Sequence, residues 1–224
     1  MPRKIKVYRN GRFTRGPSHS ILNQGYKTAI YEEIEGDILL QYNSNSCLIV
    51  QINDCIATKA HPHTFNWHVA EQFPYANPYA ERVSGPYKNV CSLFHRPNLG
   101  TIKLFHDPEM KGPSVVCCFS QYRMCNTTSY YYINCKHVDE DFIEKCLKRD
   151  EYEDRLHHFH RGLQELSDRM CFMDNVKVIA IPKYIGCGMA GGVWEDYEEI
   201  IQRFCRSIKR VRCDVVIHIV SKKT

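Results

Sequence analysis

Two rhythms of apolar positions alternate along this chain. Short, nearly continuous apolar runs read as strands buried on both faces. Cys47-Leu48-Ile49-Val50-Gln51-Ile52 is such a run and predicts a central strand. Residues 26–34 and 37–42 predict two strands before it, with Gly36 turning the chain between them. Residues 101–105, 114–119, 176–181 and 214–220 predict four more. The second rhythm is helical. Leu156, Phe159, Leu163, Leu166 and Met170 repeat on one face, as do Trp194, Tyr197, Ile201, Phe204 and Ile208. Helices are also expected over residues 64–72, ended by Phe73-Pro74, over 78–83, and over 139–149, capped by Asp139. Residues 85–99 read as loop, and 121–136 as a long irregular segment containing Tyr130-Tyr131-Tyr132. Strands alternating with helices predict an α/β domain with a mixed sheet between helical layers.

One strand leads into a glycine-rich loop. After Val178-Ile179-Ala180-Ile181-Pro182, four glycines fall between Gly186 and Gly192, and the helical rhythm begins at Trp194. Bare backbone N–H groups in such a loop can approach a phosphate. It is not a Walker A loop, because no Gly-Lys-Ser/Thr follows, and it lacks the dinucleotide fingerprint. The words Ile185-Gly186-Cys187-Gly188-Met189-Ala190-Gly191-Gly192-Val193-Trp194 resemble the second phosphate loop of macrodomains, in the branch with an IGCGLAGG-x-W signature. The resemblance spans residues 35–220. It includes Gly36-Asp37-Ile38 and the Phe73-Pro74-Tyr75-Ala76-Asn77-Pro78-Tyr79 run.

The resemblance implies a three-layer α/β/α fold and a site for ADP-ribose or ADP-ribosylated molecules, with no cofactor or metal. Asp37, beside Ile38, would accept a hydrogen bond from the adenine amino group. Ile185, Gly186, Cys187, Gly188, Met189, Ala190 and Gly191 would wrap the diphosphate. Asn53, Asp54 and Cys55 open the loop that would hold the distal ribose. Here the chain departs from the family: Asp54 precedes the cysteine, and no glycine follows until Gly85. Members that remove ADP-ribose from glutamate use a lysine and an aspartate; this chain has Gln121 and Ala190 at those places, so that chemistry is not expected. Cys187 is expected to fill space rather than attack.

His61 and His63 lie in the same loop, and a loop histidine is suited to proton transfer near neutrality. The catalytic candidates are therefore His61, Asp54 and Asn53. One expectation is a hydrolase of ADP-ribose 1''-phosphate or an ADP-ribosyl ester. Another is a reader that binds without turnover.

Charge adds a third possibility. Residues 1–31 hold seven basic residues (Arg3, Lys4, Lys6, Arg9, Arg12, Arg15 and Lys27) and no acidic one. The other 193 residues carry 23 basic against 25 acidic groups. Residues 1–30 thus read as a basic arm, with an Asn10-Gly11 hairpin, ahead of a domain over 31–224. The arm could bind nucleic acid through its phosphates. The twelve cysteines lie mostly within apolar runs, as expected of reduced thiols in an intracellular, cytoplasmic or nuclear protein. No run of about 18 apolar residues predicts a membrane span. A monomer is expected.

Overall fold

The computed structural model describes residues 31–85, 89–123 and 150–222. The basic arm with its hairpin, residues 26–30 of the first expected strand, the tyrosine-rich segment and the helix expected over 139–149 lie outside the described residues.

Six strands form one mixed sheet: β1 (Glu32–Glu35), β2 (Cys47–Asp54), β3 (Ile102–Phe105), β4 (Ser114–Gln121), β5 (Val178–Pro182) and β6 (Val216–Ser221). Their spatial order is β1-β6-β5-β2-β4-β3. Every pairing is parallel except β3 with β4. The helices are α1 (Ile38–Gln41), α2 (Phe65–Gln72), α3 (Tyr152–Arg169) and α4 (Trp194–Val211). β2 and β4 are buried along their whole length, as their continuous apolar runs require.

Two cores lie on opposite faces of the sheet. On one, Phe159, Leu163, Leu166 and Met170 from α3 and the α3 end, with Tyr197, Ile201, Phe204 and Ile208 from α4, pack on Leu48, Val50, Ile179 and Ile217. On the other, Ile38, Val69 and Phe73 pack on Ile49, Val115, Cys117 and Ala180. The alternation along a strand sends Leu48 and Val50 one way and Ile49 the other. This is the three-layer α/β/α arrangement. Each fully buried leucine or phenylalanine in it contributes about 1.5–3 kcal/mol by leaving water.

The structure corrects two expectations. Residues 37–42 are not a strand. Asp37 is extended and accepts the Leu39 N–H at 2.9 Å, so it caps a one-turn helix instead. No helix forms over 78–83; the chain turns there, with the Arg82 N–H donating to the Tyr79 carbonyl at 3.1 Å. In α3 the buried face also takes in Arg155, and Leu156 packs half-buried against the same core, as its spacing predicts. A bulge also interrupts the β2–β4 ladder. Asn53 pairs with Phe119 but Asp54 pairs with Gln121, leaving Ser120 as the extra residue. Among the described residues no helix is long and apolar enough to cross a membrane.

Candidate functional site

Five mutually parallel strands deliver their C-terminal ends to one edge of the sheet. Asp37 follows β1, the loop of residues 55–63 follows β2, Gln121 ends β4, the glycine loop follows β5 and Lys222 follows β6. In open α/β sheets the crevice at this edge is where ligands bind. A cleft of about 810 Å³ lies there. That volume suits a dinucleotide-sized ligand. Its walls include Asp37, Ile38, His61, His63, Phe65, Asn66 and Gln121. Lys183, Ile185, Gly186, Gly188, Met189 and Ala190 line it as well.

Within the glycine loop the N–H groups divide into two sets. Those of Ile185, Cys187, Gly191 and Gly192 donate to Pro182, Tyr184, Gly188 and Gly186 carbonyls, at 3.2, 2.9, 2.9 and 3.0 Å. Among the described residues, the N–H groups of Gly186, Gly188, Met189 and Ala190 have no acceptor, the last three in a row. A run of consecutive unpaired donors is an anion-receiving concavity. Ile185, Cys187 and Gly191 therefore leave the set of expected N–H donors, because their own loop already uses them. Cys187 also does not line the cleft. Burial, with Glu195 nearby, pushes its thiol up to about 11, so it is no nucleophile at neutral pH.

Two of the glycines are set by Tyr197. An added Cβ would lie 2.4 Å from its ring at Gly186 and 2.5 Å at Gly192. Gly186 has a φ of 78° besides, a region that other residues seldom enter. A Cβ at Gly188 would meet nothing within 4 Å. The loop runs into the first turn of α4, whose partial positive charge favours anions. Glu195 and Asp196 occupy that turn and offset it.

The other side of the cleft differs from expectation. Asn53 and Asp54 are the last residues of β2 and both are fully buried, outside the cleft walls. The Asp54 carboxylate accepts the Ile56 and Ala57 N–H groups at 3.1 and 2.6 Å and the Tyr79 hydroxyl at 3.0 Å. Arg82 lies 3.7 Å from it and donates to the Ala57 and Asp54 carbonyls at 2.6 and 2.7 Å. Burial pushes the Asp54 carboxyl up, and Arg82 and these bonds act against that rise. The Asn53 amide donates to the Tyr79 hydroxyl at 3.4 Å. The Asp54 side chain folds the loop, the Asn53 Oδ1 has no partner among the described residues, and neither side chain reaches the cleft.

His61 does reach the cleft. Its Nδ1 lies 2.9 Å from the Pro62 carbonyl oxygen, which can only accept. Nδ1 therefore carries the proton, and in the neutral ring Nε2 is the free base. Asn66 fixes α2 beneath it by donating to the Ile52 carbonyl at 2.6 Å.

Sequence reading missed Asp150, Tyr152 and Arg155, which hold the glycine loop from behind. A signal existed for Arg155: it stands four residues before Phe159, on the apolar stripe of α3, where a charge must have a partner. Asp150 and Tyr152 carry no such signal, since their partners are distant in sequence.

No protein-family model matches the chain, and no curated protein matches it. Among solved structures the chain is similar to one described as Alphavirus P23pro-zbd, at 14% identity and a TM-score of 0.42. The match covers 82% of this chain and spans only 20% of that one, and so distant a likeness assigns neither family nor activity.

Proposed function

We propose that the chain is a macrodomain-type module that binds ADP-ribose in this cleft and hydrolyses a derivative of it. The observation that carries the reading is the row of unpaired N–H groups at Gly188, Met189 and Ala190 on the wall of a dinucleotide-sized cleft. They suit the diphosphate. Asp37 also lines the cleft, with Oδ1 committed to the Leu39 N–H, and its second oxygen suits an adenine amino group. Titration calorimetry with ADP-ribose, against GDP-mannose and inorganic phosphate, tests this directly. Saturable binding selective for ADP-ribose is expected, and its absence sinks the reading.

The adenine contact has its own test. Asp37→Ala would remove the cap of α1 along with the carboxylate. Asp37→Ser keeps a capping oxygen but is too short for a base. The serine variant is expected to lose ~1.5–3 kcal/mol of ADP-ribose affinity, the worth of a hydrogen bond to a charged group. Full affinity in that variant would remove Asp37 from the site.

For hydrolysis, His61 is the group placed to move a proton, and the leaving group we favour is the 1''-phosphate or an ester. His61→Ala is expected to lower kcat about a hundredfold with little change in ADP-ribose affinity. The assays are phosphate release from ADP-ribose 1''-phosphate and ADP-ribose release from an ADP-ribosyl ester. Wild-type protein that binds ADP-ribose but releases nothing from either substrate class is a reader, without turnover.

A further inference from the structure

The first turn of α3 grips the glycine loop from outside the cleft. Arg155 is 2% exposed and does not line the cleft. Its Nε and one Nη donate to the two oxygens of Asp150 at 2.9 and 2.7 Å, the fork geometry of guanidinium and carboxylate. The other Nη donates to the Ala190 carbonyl oxygen at 3.1 Å. Asp150 is anchored in turn, accepting the Tyr122 and Arg123 N–H groups at 2.8 and 3.2 Å just beyond β4. One turn of helix away from Arg155, the Tyr152 hydroxyl accepts the Val193 N–H at 3.3 Å and donates to Asp196 at 2.5 Å. The second half of the loop is therefore tied to α3 at Ala190 and again at Val193.

A buried ion pair adds little net stability compared with apolar residues of the same size. Its third bond, to Ala190, is what bears on the site. The Ala190–Gly191 peptide is followed by Gly191, at a φ of 71°, and by Gly192. Glycines make a peptide flip inexpensive. A flip would break the Gly191 N–H bond to the Gly188 carbonyl and swing the Ala190 oxygen away from Arg155. A carbonyl oxygen among the free N–H groups would repel an anion.

We propose that Arg155, fixed by Asp150, is a positioning residue that holds the Ala190–Gly191 peptide and keeps the Gly188, Met189 and Ala190 N–H groups presented to a diphosphate. The diphosphate part rests on the ADP-ribose reading of the cleft; the holding of the peptide does not.

Arg155→Lys tests it. Lysine keeps a charge opposite Asp150, but one ammonium lacks the fork and cannot also hold the carbonyl in place. The double variant Asp150→Asn/Arg155→Gln removes both charges and avoids an unpaired buried carboxylate, at the cost of the Asp150 contact to the buried Arg123 guanidinium at 3.4 Å. Gly191 amide exchange is read by NMR on the full chain without ligand, and affinities are measured for ADP-ribose and for adenosine. In Arg155→Lys, Gly191 exchange should rise about tenfold or more as the loop opens locally. ADP-ribose affinity should fall about thirtyfold, while adenosine, which has no phosphate, changes less than about twofold. A general structural role would weaken both ligands alike, and that result overturns the proposal, as does unchanged Gly191 exchange. If Arg155→Lys does not fold, the double variant is held to the same outcomes. Wild-type protein that binds no ADP-ribose would overturn the functional reading instead, and Gly191 exchange alone would then decide whether Arg155 holds the loop.

Discussion

Gly188→Val is expected to abolish ADP-ribose binding while the fold survives. The two halves of that expectation have separate physical grounds. A Cβ at Gly188 meets no atom within 4 Å, so a side chain can start there without displacing the fold. The same open space is the cleft, and Gly188 is one of its walls. Two methyl groups placed there would occupy the position of a phosphate and shield the neighbouring N–H groups. A thousandfold loss, about 4 kcal/mol, is expected. Gly186→Ala is the contrasting variant. Its Cβ would lie 2.4 Å from the Tyr197 ring at a positive φ, so it should lower the melting temperature first and affinity only as a consequence. Calorimetry and thermal melts on both variants separate the outcomes. A folded Gly188→Val protein with wild-type affinity would mean that the loop does not receive the phosphates.

Both core helices, the six strands and the glycine loop were legible in the sequence because each is long or carries a strong local signal. The runs at 47–52 and 114–119 are short and rich in β-branched residues, which favours buried strands, and the 3-and-4 spacings favour helices. Residues 37–42 were misread because four residues are too few to show a period, and a capping aspartate decides the matter. The loop's position was legible, but not which of its N–H groups remain free. That depends on hydrogen bonds internal to the loop, at Gly188 and Gly186 carbonyls, which no residue pattern displays. The end of β2 failed for a different reason. The bulge at Ser120 shifts the pairing of Asn53 and Asp54, so face counting gives no answer there. Tyr79 and Arg82, which then claim Asp54, are 25 and 28 residues away. A long-range partner of that kind turns a plausible catalytic carboxylate into a folding element.

Asp54→Ala should therefore damage stability rather than chemistry. The substitution strands the Ile56 and Ala57 N–H groups and the Tyr79 hydroxyl without their acceptor. It also leaves the Arg82 guanidinium, whose side chain is 3% exposed, without its carboxylate. Breaking a buried pair from one side costs about 3–5 kcal/mol. Domains of this size have about 5–15 kcal/mol in hand, so the variant should unfold at much lower urea or fail to accumulate. Asp54→Asn is the milder change. Its amide oxygen can still accept the two N–H groups, but its nitrogen can only donate to Tyr79, so the charge opposite Arg82 and the acceptor of the Tyr79 O–H are lost. It should fold with a smaller loss and should bind ADP-ribose as wild type does. Whatever turnover of ADP-ribose 1''-phosphate the wild type shows should persist in it, while His61→Ala loses it. The decisive measurement is kcat for Asp54→Asn at a temperature well below its melting midpoint. A fall of about a hundredfold there, with affinity intact, would restore Asp54 to the catalytic set and require the loop after β2 to open during the reaction.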